Sequence, residues 1–96
     1  SVPYGACRLV DVLISFLTAP HWDTDYAAAG ALKDLCWLGP DIAGRIQQGA
    51  RDALTRVDGI VFDSLTPDVS DPKAMLVAKI EGCIKEAQLV LDRQKQ

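Results

Sequence analysis

Ninety-six residues bound this chain to a single domain spanning 1–96. Hydrophobic residues make up 49% and charged residues 24%, the balance of a folded chain and not of a disordered one. A formal net charge of −3 opposes generic binding to nucleic acid or an anionic membrane, which draws on a lysine and arginine excess.

In chain order, the first helix is expected from about Gly5 to Thr18, ending before Pro20 because the residue preceding proline is pushed out of helical geometry. Only Arg8, Asp11 and Ser15 form a polar stripe, so a helix this apolar around its circumference is expected to be covered on several sides. The stretch Leu9 to Leu17 is interrupted by Asp11 and too short to span a bilayer. Asp23 or Thr24 is a good N-cap for a second helix over Tyr26–Leu38, whose small residues Ala27 to Ala31 allow close approach of a neighbour. Gly39-Pro40 ends it.

A short third helix is expected from Pro40 to Gln48, with Ile42 and Ile46 inward and Gly49 closing it. A fourth follows from Ala50 to Leu65, with Ala50, Ala53, Leu54, Val57, Val61 and Leu65 inward and a bend at Gly59. Thr66 to Ser70 reads as a loop, and Ser70 or Asp71 caps a last, long helix from Pro72 to about Arg93. Leu76, Ile80, Cys83, Ile84, Ala87 and Leu91 form its apolar stripe.

Two of these stretches echo each other. Gly5-Ala6 returns as Gly49-Ala50, and Leu9, Val10, Leu13 and Leu17 match Ala53, Leu54, Val57 and Val61. A spacing of ~40–47 residues between such units is that of armadillo and HEAT solenoids. At a shift of forty-eight, the last helix also matches the second, through Ala28, Leu32, Leu35 and Cys36. Gly5 to Leu13 thus resembles the second helix of an armadillo repeat, Asp25 to Leu38 the third, and Asp41 to Gln48 the short first helix of the next repeat. The resemblance covers almost the whole chain, about one and two-thirds repeats. It implies an all-α, five-helix, right-handed armadillo/HEAT-like stack; a compact helical bundle is the alternative.

Armadillo third helices line a groove for extended peptides, often through asparagine and tryptophan. By position, Asp34 takes the asparagine place and Gly30 the tryptophan place, which argues against importin-like clamping of a basic peptide. Tyr26, Asp34 and Trp37 remain as an acidic and aromatic surface, with Trp22 as an end plug or a binding rim. The expected function is a protein-interaction scaffold that docks a partner's peptide or helix on this face or on an exposed end of the stack. So short a solenoid needs completion, by flanking repeats, by self-association through its end faces, or by a last helix that folds back.

The rival reading is a helical-bundle enzyme or metal-binding domain using His21, Asp23 and Asp25, since one histidine and two carboxylates suit a divalent cation. Helix capping by the aspartates is favoured over it. With one histidine and isolated glycines, neither a catalytic triad nor a phosphate loop can be assembled from motif, and no cofactor is expected. Cys7, Cys36 and Cys83 lie in helical stretches without a Cys-x-x-Cys pair, which reads as reduced thiols in a cytoplasmic or nuclear protein, with a Cys7–Cys83 staple as the alternative.

Overall fold

A computed structural model describes residues 4–63 and 71–94. It is all-α, with four helices among the described residues: α1 (Tyr4–Phe16), α2 (Trp22–Leu35), α3 (Pro40–Leu54) and α4 (Pro72–Arg93). Short 3-10 turns follow α2 at Cys36–Leu38 and α3 at Val57–Gly59. The expected count of five is therefore corrected to four. Gly49 does not close a helix; α3 runs through it, and the expected break at Gln48 is absent.

The reason lies in packing. A Cβ on Gly49 would meet three atoms of the Ile14 side chain at 2.6, 2.8 and 3.0 Å. Glycine is there to let α1 approach α3, not to stop the chain. Gly49→Ala is therefore expected to destabilise by about 1 kcal/mol, because overpacking outweighs alanine's better helix propensity. Gly44, on the same helix with open space around its Cβ position, should instead gain ~0.5–1 kcal/mol as alanine. Chemical denaturation of the two variants checks this. Equal shifts of the same sign would remove the close-approach explanation.

The chain leaves α3 after Leu54, earlier than the expected Leu65. Thr55 Oγ donates to the Asp52 carbonyl at 2.6 Å, a side-chain bond that competes with helix continuation. Gly59 closes the 3-10 turn and Ile60 is extended (φ −75°, ψ 128°). Val61, expected inward, is consequently 83% exposed. Leu65 and the loop Thr66 to Ser70 lie outside the described residues.

Other boundaries follow from local chemistry. Gly39 (φ 157°, ψ 168°) adopts a conformation essentially reserved for glycine, and Pro40 opens α3 at its first turn. Asp71 caps α4 by accepting from the Ala74 amide at 2.9 Å. The cap of α2 differs from expectation: His21 holds that position without a side-chain bond to the amides of the helix, and Asp23 and Asp25 lie inside the first turn.

The most extensive helix contact joins α3 to α4; α2 packs on α4, and α1 packs on α2 and α3. The smallest molecular dimension is 19 Å, about two helices thick. Between the layers lie Leu32, Ile42, Ile46, Leu76 and Ile80, with no exposed surface. Ala28, Ala29, Ala43, Ala50 and Ala53 are buried among them and permit close helix approach. All three cysteines are free thiols, so no Cys7–Cys83 staple forms. Cys36 donates to the Leu32 carbonyl at 3.3 Å and Cys83 to the Ala29 carbonyl at 2.9 Å. Burial, chiefly, pushes these two thiols up to about 12 and about 11, which keeps them protonated and unreactive. Among the described residues, no helix is long and apolar enough to cross a membrane.

Candidate functional site

The residues expected to bind a partner fall along the seam between α2 and α4. Trp22, at the start of α2, donates its indole N–H to the Pro72 carbonyl at 3.2 Å. One turn on, Tyr26 stacks against it, with ring centroids 4.7 Å apart and planes at 24°. The Lys79 ammonium lies 5.0 Å from the centre of the Tyr26 ring, a cation–π contact. Both aromatics are half-buried, and their polar and π faces are already engaged within the chain. They tie the starts of two parallel helices together.

Trp37 sits at the other end of this seam, in the 3-10 turn. Its indole N–H donates to Glu86 at 2.7 Å, and the Arg93 guanidinium carbon lies 5.0 Å from the centre of its ring. It is 45% exposed, and Leu89, 54% exposed, lies on α4 between its two partners in sequence. Asp34 is exposed on the last full turn of α2. Trp22 and Tyr26 form one cluster and Trp37 another, at opposite ends of α2, with Asp34 one turn from Trp37.

His21, Asp23 and Asp25 do not converge as a metal site requires. Asp23 is exposed, Asp25 has no exposed surface, and the His21 ring nitrogen Nδ1 pairs with Asp63, forty-two residues away. Among the described residues, no group of three histidine, cysteine or acidic side chains is placed to hold a metal. The pairing has a structural consequence: with the Asp63 amide donating to the Pro20 carbonyl at 2.8 Å, it fastens the extended segment after α3 to the start of α2.

Asp25 is the electrostatic anomaly of the fold. Neither of its carboxylate oxygens has a hydrogen-bond partner. Burial pushes its carboxyl from the ordinary 3.8 up to about 7, against the opposing pull of the His21 charge and the Ala19 amide. That amide bonds the Phe16 carbonyl at 3.2 Å and leaves both Asp25 oxygens unsatisfied.

A surface that the sequence did not single out lies on α1. Leu9 (50% exposed), Val12 (44%) and Phe16 (40%) recur at i, i+3, i+7 and so share one helix face. The opposite face supplies buried Val10, and Leu17 just past the helix end is buried too. Tyr4, 75% exposed, opens the helix. The helix is thus apolar on two sides and covered on one.

No protein-family model, curated protein or solved structure matches this chain. What the chain does must therefore be read from its own surface. Between α1 and α3 lies a groove of about 400 Å³, lined by Tyr4, Cys7, Arg8, Asp11, Val12 and Arg45. Asp11 accepts from Arg45 Nη1 with both oxygens, at 2.9 and 3.0 Å, across the groove floor. The bond to Asp11 holds the Arg45 guanidinium more firmly in its charged form. Both partners are about half exposed, so the pair contributes little to stability and mainly orients the Arg45 side chain. Val12 belongs to both the groove and the apolar stripe, which makes the two one continuous surface.

Proposed function

We propose that this chain is a protein-interaction module that docks a helix or peptide of a partner on an exposed end of its helical stack. The observation that carries the reading is the outward stripe Leu9, Val12 and Phe16. An apolar helix face at helical spacing, left open on an edge helix, is the geometry of helix-in-groove recognition. The Trp37, Leu89 and Asp34 surface at the far end of α2 is a second contact region for the same partner class.

The armadillo/HEAT-like ancestry is part of the proposal. It is supported by α2 and α4, whose repeat-equivalent residues Ala28 and Leu76, and Leu32 and Ile80, are buried pairwise. The Gly-Ala echo lends it less, because the first copy opens a helix and the second lies within one. Three free thiols, two of them buried, support an intracellular setting.

Titration of isotope-labelled protein with synthetic amphipathic helical peptides tests the function by NMR. Saturable shifts are expected on Leu9, Val12 and Phe16, and Val12→Asp should abolish them without unfolding the chain. Absence of saturable shifts at millimolar peptide would sink the docking reading.

A further inference from the structure

The groove beside the stripe specifies what the partner must bring. We infer that the occupant is an amphipathic helix with a carboxylate side chain that enters the α1–α3 groove and pairs with Arg8, while its apolar residues lie on Leu9, Val12 and Phe16. This rests on the docking function proposed above and adds the partner's charge.

Arg8 decides the point. It lies one helical turn before Val12, so any chain laid on the stripe also covers Arg8. Its contacts within the protein are weak: the Tyr4 hydroxyl at 3.5 Å and the Tyr4 ring, whose centre is 6.0 Å away. Among the described residues it has no carboxylate partner, because the acid nearest in the groove, Asp11, is held by Arg45. Covering an unpaired guanidinium with apolar surface strips its water without compensation, which is strongly unfavourable. A partner that supplies a carboxylate removes that penalty and gains a charge-assisted hydrogen bond. The Tyr4 ring beneath the guanidinium and the 400 Å³ of space give the acid room to enter.

A second copy of this chain fits less well. Two α1 helices packed antiparallel about Val12 would set each Arg8 beside the other copy's Phe16, with no acid to meet it. Two copies of net charge −3 also repel.

The overall charge makes the test demanding, since a chain of net charge −3 should favour a basic peptide unless a local site overrides it. Two fluorescent helical peptides are compared by anisotropy, identical in their apolar face, one flanked by glutamates and the other by lysines. The acidic peptide is expected to bind about fivefold or more tightly than the basic one, with a gap that narrows as salt is raised. Arg8→Gln should abolish the preference for the acidic peptide and Arg8→Glu should reverse it strongly, each with an unchanged circular dichroism spectrum. If both peptides bind alike and Val12→Asp abolishes both, the docking function stands and the acidic partner is overturned. If neither binds, both fall. Sedimentation of the protein alone completes the test: a dimer lost in Val12→Asp would identify a second copy as the occupant and overturn the inference.

Discussion

Asp25→Asn is expected to stabilise this protein above neutral pH and to leave it unchanged in acid. The native carboxyl binds its proton up to about pH 7, whereas the unfolded chain releases it near 3.8. Between those values the native state holds more protons, so stability falls as pH rises through the window and levels off above it. A shift of this size corresponds to a ceiling of ~4 kcal/mol, and about 2–3 kcal/mol is the expected loss, because the first turn of α2 can open to water and relieve part of the penalty. The asparagine variant carries no charge to bury and shows no such slope. Urea denaturation at several pH values checks it: the two stability curves should meet near pH 4 and diverge to about 2–3 kcal/mol near pH 8. Parallel curves would mean that Asp25 is already satisfied in the native state. His21 adds an internal control. Its charge opposes the burial effect, so His21→Gln should move the slope to higher pH.

Nothing local in the sequence announces that burial. Asp23 and Asp25 sit alternately before a helical stretch, a pattern that reads as two solvated carboxylates facing the helix dipole. Which of them turns inward depends on where the helix starts. His21 holds the cap position and Asp23 and Asp25 fall inside the first turn, which directs Asp23 outward and Asp25 into the core. The partner of His21 was equally hidden, since Asp63 reaches it only through the tertiary course of an extended segment. Where the signal was local it was legible: Gly39-Pro40 separates α2 from α3, Asp71 caps α4, and the stripe Leu76, Ile80, Cys83 and Ala87 is buried. Where a residue has two physical uses, composition could not choose. Gly49 reads as a stop but serves a close approach to Ile14. The continuous apolarity of α1 reads as cover on several sides, yet Leu9, Val12 and Phe16 face outward. Period alone cannot tell a covered face from an exposed one.

Truncations separate the apolar residues that hold the fold from those proposed for binding. Ile46→Ala and Ile80→Ala are each expected to destabilise by about 3–4 kcal/mol, through lost transfer energy and the cavity left behind. Both side chains have no exposed surface and come from α3 and α4, the helices in most extensive contact. A domain this short buries a smaller share of its surface than a large one, so losing that much from a total of roughly 5–10 kcal/mol removes a large part of its stability. Because α1 rests on α2 and α3, loosening the α3–α4 seam also loosens the platform that presents Arg8 and Val12. Leu9→Ala and Leu89→Ala, each about half exposed, should shift stability by no more than about 0.5 kcal/mol. Thermal and urea denaturation of the four variants make the comparison. If Leu9→Ala destabilises as much as Ile46→Ala, the outer face of α1 is a covered part of the fold, and the docking surface has to be sought at Trp37 and Leu89 instead. If Leu9→Ala is silent in folding, the Leu9 side chain owes nothing to internal packing and stays available to the proposed partner.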